Sequence, residues 1–308
     1  MTRAAGQSSV DQNPFLAIIL MTVSMLLLPV MDTIAKYLSS DLPTVEITFG
    51  RFACQLLICV FLALFTGRIM RLKSKQPVVN YVRGLLLASA SLCFFTALKY
   101  MSVATAISIF FIEPMVLTVL AALFLKEQVG PRRISAVLVG LLGAVIILRP
   151  NLAEIGLVSL LPVCTAFLFS FYLLINRLYP VTDSLLTIQF SAGVSGSLFL
   201  GAVLLFGFFS GSEGLEFVPP SASQSALLML IGLISFAGHG LVVAAFQRGN
   251  ASLLAPLQYV EIVGATLLGY LVFSDFPDGP TWLGIALIVG SGLYITYRER
   301  RLKSAATV

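Results

Sequence analysis

The chain has 308 residues, of which 58% are hydrophobic and 11% charged, with a formal net charge of +5. A soluble domain carries roughly 25% charged residues, so a water-soluble globule is excluded and an all-α protein of the lipid bilayer is expected. The bases sit in short segments between apolar runs, which points to membrane topology rather than to nucleic acid.

Apolar runs long enough to cross a bilayer, about 20 residues each, recur from end to end. The first begins near Pro14 behind a polar tail. It is too long for a signal-peptide core and lacks a small-residue cleavage site, so it reads as the first retained span. Ten spans are expected, at about 14–36, 44–66, 79–100, 103–125, 133–149, 155–177, 183–209, 224–247, 251–273 and 281–298. Breaks fall at turn or charge clusters such as "GRIMRLKSKQP", "KEQVGPRR", "RPNLAE" and "SDFPDGP". Short loops make successive helices antiparallel neighbours.

Taken in chain order, several spans carry polar residues along one face. The second has Thr48, Arg51, Gln55 and Cys59, and Arg51 is expected to be a structural partner of Glu46 or Asp32. The third has Ser89, Cys93, Thr96 and Tyr100. In the fourth, "FFIEPMV" sets Glu113 directly before Pro114. That proline has no N–H for the carbonyl of Phe110, so a distortion is expected there. The sixth span has Thr165, Phe169, Tyr172 and Asn176. The eighth pairs Ser235 with His239, and the ninth pairs Gln258 with Glu261. Polar faces in lipid should point to a cavity or a partner helix. Glycines such as Gly140, Gly143, Gly290 and Gly292 allow close helix approach and permit a homodimer through the fifth and tenth spans.

The four cysteines all fall in apolar runs and read as packing residues, and the sole histidine excludes a multi-histidine metal site. No glycine-rich turn follows a strand and opens a helix. Neither nucleotide nor any other cofactor is expected, and ATP is not the expected energy source.

Placing the N-terminus in the cytoplasm puts Arg3, Arg68, Arg71, Lys73, Lys75, Lys126, Arg132, Arg133, Arg177, Arg248 and the 298–303 basic cluster on that side. The other side then holds Lys36, Lys99 and Arg149, with acids Asp41, Glu154, Glu213, Glu216, Asp275 and Asp278. The asymmetry supports both termini in the cytoplasm and an even number of spans.

A shift of 148 residues lays "IEPMVLTVLAAL" over "VEIVGATLLGYL", so that Glu113 meets Glu261, Thr118 meets Thr266 and Glu127 meets Asp275. The glutamate pair carries most of the weight, because intramembrane acids are rare. The offset maps span four onto span nine and divides the chain into five-span halves, 1–150 and 151–308. Five is odd, so the halves insert with opposite orientation, an inverted repeat of the kind that builds binding sites near the bilayer midplane.

The run "ALKYMSVATAISIFFIEP", then "LFLKE", then "GLLGAVIIL" resembles the drug/metabolite transporter superfamily in its ten-helix EamA-like branch, and within it the YddG-type amino-acid exporters. The second-half proline usual in that family is absent at the matching Ile262, and Pro256 lies six residues earlier. The resemblance implies a secondary transporter of the bacterial inner membrane, working by alternating access and in the export direction. It also implies a cavity lined by spans one, three, four, six, eight and nine. The candidate substrate-binding residues are Glu113, Glu261, Gln258, His239, Tyr100, Tyr172, Thr96 and Phe110. Carboxylates suit an ammonium group and aromatics suit an apolar body, so an amino acid is the expected cargo, with a cationic drug as the alternative. A remote enzyme reading rests on "GVSG", Gly193 to Gly196, whose Ser195 would pair with His239 as in rhomboid intramembrane proteases.

Overall fold

The computed structural model describes residues 13–67, 69–126, 130–179, 183–212, 214–249 and 251–305. Arg3, Arg68, Glu127 and Glu213, used in the charge and repeat arguments, lie outside the described residues. Twelve α-helices build the described part: α1 Pro14–Leu38, α2 Thr44–Phe65, α3 Pro77–Leu98, α4 Val103–Phe110, α5 Glu113–Phe124, α6 Pro131–Ile155, α7 Leu161–Leu178, α8 Leu185–Ser210, α9 Ala222–Arg248, α10 Ala251–Leu254, α11 Val260–Phe273 and α12 Gly279–Ala305. Among the described residues, nine segments are long and apolar enough to cross a membrane, and α6 carries a shorter apolar stretch at Ile134–Arg149. Large apolar side chains such as Phe61, Phe65, Phe208 and Leu271 face outward, as a lipid-facing surface requires.

Start signals in the sequence act locally. Asn13, Ser102, Ser184 and Ser221 each accept an N–H of the first helical turn, and Ser221 forms a reciprocal capping box with Gln224. The fifth span is longer than expected: α6 runs through "RPNLAE" and stops at Gly156, whose φ of +69° is open to glycine at little cost.

Spans four and nine are broken, not continuous. In the first half α4 ends at Phe110 and α5 starts at Glu113, with Ile112 N–H bonded three residues back to Ile109. In the second half α10 passes into a 3₁₀ turn, Ala255–Tyr259, before α11 starts at Val260. The two breaks are 148 residues apart, and they touch: the rings of Phe111 and Tyr259, repeat mates, lie 5.1 Å apart. The packing repeats as well. α1 lies along α9 as α7 lies along α3, and α1 meets α11 as α7 meets α5. The pairs α2–α8 and α6–α12 close the bundle across the pseudo-two-fold axis.

The main core cluster lies between the halves and includes Phe95, Leu98, Ile107, Ile109, Met115, Ile147 and Ile288. The glycines of α6 are used inside the chain. A Cβ on Gly143 would meet the carbonyl oxygen of Gly284 at 2.8 Å and Ile288 at 3.0 Å, whereas one on Gly290 would meet nothing within 4 Å. Gly→Ala in a helix is otherwise favourable by about 0.5–1 kcal/mol. Gly143→Ala should therefore melt below wild type in a thermal unfolding assay of the purified protein, and Gly290→Ala should melt at or above it. Equal melting of the two variants would mean that α6 and α12 are not in close contact.

Candidate functional site

The two breaks and the bundle around them enclose a cavity of about 180 Å³. Its acids come from three helices: Asp32 of α1, Glu113 of α5 and Glu261 of α11. Both glutamates sit in the first turn of the helix that resumes after a break. The partial positive charge of a helix N-terminus favours an anion there, which is the local reason the acids sit at these positions. Gln258 enters from the 3₁₀ turn, His239 from α9, and Ser91 and Thr165 from α3 and α7. Phe94, Phe95, Phe110, Phe111 and Phe169 form an aromatic wall. Phe110 meets Phe94 and Phe169 edge-on, with ring centroids 6.0 and 5.6 Å apart.

Arg51 of α2 is the single arginine or lysine of the lining. Its Nε donates to Ser235 Oγ at 2.9 Å and its Nη1 to Ser91 Oγ at 2.6 Å. The guanidinium also lies 5.1 Å from the ring of Phe52 and 5.7 Å from that of Phe95. The expected pairing with Glu46 does not occur, because Glu46 Oε2 accepts the N–H of Val218 instead. Asp32 lines the same cavity, and its charge interacts with that of Arg51, but the two do not close into a contact ion pair.

Among the described residues, the side chains of Asp32, Gln258 and Glu261 make no hydrogen bond, and Oε1 of Glu113 is buried without a hydrogen-bond partner. His239 is half-committed: its Nδ1 donates to the carbonyl of Ser235 at 2.8 Å. An acid at a helix centre costs about 2.5–3.5 kcal/mol on insertion scales, and here three such groups share one aromatic-walled space.

Of the expected site residues, Glu113, Glu261, Gln258, His239 and Phe110 line this cavity. Thr96 and Tyr100 do not. They line a second cavity of about 430 Å³ at the helix ends, with Asp41, Lys99 and residues of the 214–218 segment. Thr96 bonds Thr44 and the carbonyl of Leu92, and Tyr100 lies beyond the end of α3 and is 48% exposed. The α3 residues that line the central cavity, Leu87, Ala90, Ser91, Phe94 and Phe95, form a different face of the helix from Ser89, Cys93 and Thr96, so the expected stripe lies on the wrong face. Tyr172 also lies off the lining. Its ring stacks on Phe169 at 5.4 Å and backs the aromatic wall. The larger cavity is lined mostly by chain turns and holds no unpaired buried carboxyl, so the central one is the candidate site. The cavity draws on spans one, three, four, six, eight and nine, and also on span two through Arg51. Asp32 and Arg51 are the residues that sequence reasoning assigned to structure alone, although a charged group inside an apolar run was a visible signal for each.

The sequence matches the EamA-like transporter family over residues 15–149 and again over 156–297. The chain belongs to the EamA-like transporter family. It is similar to an S-adenosylmethionine uptake transporter of Rickettsia bellii, 29% identical over 274 residues that cover 89% of this chain and 90% of the relative. A riboflavin transporter of Vibrio cholerae is 26% identical over 298 residues, covering 95% and 97%. A pseudopaline exporter of Pseudomonas aeruginosa is 28% identical over 277 residues, covering 84% and 88%. A solved crystal structure shares the fold with a TM-score of 0.60 at 21% identity, covering 90% of this chain and 95% of its own. The chain is thus a multi-pass membrane transporter of a family whose members move small molecules, and it is not an enzyme. The geometry of the serine–histidine pair agrees. Ser195 on α8 bonds the carbonyls of Ser191 and Ala192 and packs against Gly84, while His239 on α9 bonds Ser235.

At one face of the bundle, outside the spans, Asp183 ties the α7–α8 turn to the segment before α3. It accepts from the Ser74 hydroxyl at 2.6 Å, the Lys75 N–H at 3.0 Å and the Asn80 amide at 2.7 Å. Partial desolvation pushes its carboxyl up, but these hydrogen bonds outweigh it and hold the pKa below the ordinary value. A depressed carboxylate contributes stability that is present above its unfolded pKa and lost as pH falls through the folded one. The stability difference between wild type and Asp183→Asn should therefore be constant above about pH 5 and shrink below the usual aspartate range, about 3.9. Thermal melts of both proteins across that range check this; a difference that persists unchanged at pH 2–3 would contradict it.

Proposed function

We propose that the protein is a secondary transporter that moves α-amino acids and related zwitterionic metabolites with an aromatic or apolar body across the inner membrane. The observation that carries this reading is the pair of carboxyl groups at the two helix breaks, neither hydrogen-bonded to a described residue, facing an aromatic wall. Glu113 and Glu261 supply the negative groups for the ammonium, Gln258 and His239 add hydrogen bonds, and Phe110 and Phe169 pack the body. The cargo named for the Rickettsia relative, S-adenosylmethionine, carries an α-amino-acid head and a cationic centre, in keeping with the same chemistry. A cationic drug is the second reading, favoured by the excess of acids over bases in the lining.

The transport cycle assigned here is alternating access, with the halves 1–150 and 151–308 rocking about the central site. Net direction in such a device follows the gradients, so the export expected from the resemblance and the uptake named for the Rickettsia relative need no different architecture.

Replacing Glu113 or Glu261 with Gln keeps size and removes charge. Loss of a charge-assisted hydrogen bond, about 1.5–3 kcal/mol, should weaken uptake of labelled phenylalanine into proteoliposomes roughly ten- to a hundredfold, with thermal stability retained. Near-normal uptake by both variants would remove the binding role. Orientation is tested separately. In a cysteine-free background, Ser212→Cys should react with an impermeant thiol reagent outside intact cells and Ser74→Cys should not. The reverse pattern would invert the topology.

A further inference from the structure

We infer that Arg51 is the specificity-determining residue of the central cavity and that it reads the carboxylate of the transported molecule. This rests on the transporter reading above and narrows it, because a cavity of acids alone would accept any amine.

The guanidinium is built in place. One hydroxyl holds Nε, another holds Nη1, and the Phe52 and Phe95 rings flank it. Ser235 is itself fixed: its hydroxyl donates to Oε1 of Gln55 at 3.4 Å, and Nε2 of Gln55 bonds Gln189 Oε1 at 2.9 Å. All of these partners are neutral. They orient the cation without neutralising it, and Nη2 makes no hydrogen bond to any described residue. Arginine offers five donors in a planar fork matched to a carboxylate, so a partner anion is what this arrangement lacks.

The nearest protein candidate, Asp32, does not supply it. Asp32 is 3% exposed, lines the same cavity and makes no side-chain hydrogen bond, yet it stops short of contact with Arg51. A buried acid and a buried base that face one cavity without joining each leave a charge to be met. Burying an unpaired charge is costly, and a zwitterion lodged between them meets both needs at once. Its carboxylate would lie on Nη1 and Nη2 of Arg51 and its ammonium on Asp32 or a glutamate. An amine that lacks the carboxylate satisfies the acids but leaves Arg51 bare.

The experiment uses the full-length protein and two matched pairs of probes: L-phenylalanine with phenethylamine, and S-adenosylmethionine with its decarboxylated form. Within each pair only the carboxylate differs. Wild type should be stabilised in a ligand-dependent thermal shift by the acid at about tenfold to a hundredfold lower concentration than by the amine. In Arg51→Gln that preference should collapse to within a fewfold while binding of the amine persists, a change that a merely structural arginine would not produce. Ser235→Ala, which loosens the guanidinium but keeps its charge, should reduce the preference in part, and serves where Arg51→Gln does not fold. Equal response of wild type to acid and amine would overturn the inference while leaving an amine transporter standing. A preference unchanged in the Arg51 variant would also overturn it. A response to no member of either pair would overturn both the inference and the amino-acid reading.

Discussion

In a bilayer every backbone N–H and C=O must be satisfied within the protein, so a helix can be interrupted only where other protein surrounds the gap. That constraint organises this molecule. Both interruptions, at Phe111 and Ile112 and at the 3₁₀ turn Ala255–Tyr259, lie inside the bundle, with Phe111 and Tyr259 against each other. Phe111 and Ile112 are 5% and 2% exposed. The outer pairs α2–α8 and α6–α12 shield the interior from lipid. Each break then exposes a helix N-terminus to the interior, and each N-terminus carries a glutamate in its first turn. The position of the acids is thus a consequence of the position of the breaks.

The two halves reach this arrangement by different local chemistry. In the first, Pro114 follows Glu113 and denies the carbonyl of Phe110 its usual donor. In the second, no proline stands at Ile262. A 3₁₀ turn opened at Pro256 carries the chain to Tyr259, and the helix resumes at Val260. The geometry recurs at the same 148-residue offset although the proline does not. What is common is a helix restart with the acid in its first turn, at the first residue in α5 and the second in α11. The second break is also accommodated elsewhere: Gly292 of α12 leaves room for the Tyr259 ring, where any Cβ would collide with the phenol.

The number of spans, the two halves and the glutamate pair were legible in the sequence because each rests on a rare event. Apolar runs of membrane length do not occur by accident in soluble chains, and acids inside them are scarcer still. The cavity lining was legible only in part. Ser89, Cys93 and Thr96 define one face of α3, but the cavity is lined by another, Leu87, Ala90, Ser91, Phe94 and Phe95, on which aromatic and small apolar residues outnumber polar ones and give no polar stripe to read. The role of Arg51 was obscured for another reason. An arginine beside acids in a membrane reads as an ion pair, and only the three-dimensional arrangement shows that Ser91 and Ser235 hold it while Asp32 stays apart. The end of α6 was misplaced because "RPNLAE" looks like a stop, whereas the backbone turns at the glycine that follows.

An excess of buried acid over base is unstable in isolation, and this excess bears on how the cavity works as well as on what it binds. Removing one member of a closed buried ion pair leaves an uncompensated charge and costs several kcal/mol. A site whose charges were already paired would therefore have to break those pairs to admit a zwitterion, and the binding energy would be spent on that exchange. Here Arg51 is positioned by neutral hydroxyls and aromatic rings, and Asp32, Glu113 and Glu261 are positioned by helix geometry, so a ligand of the proposed kind would gain its contacts without displacing protein ones. Such a site is preorganised in the sense that binding orders little that is not already ordered. The lining draws on both halves of the bundle, since Asp32, Arg51 and Glu113 come from the first half and Glu261 and Gln258 from the second. On the proposed reading, a molecule that bridged them would couple its own occupancy to the relative position of the halves, which is the property that alternating access requires.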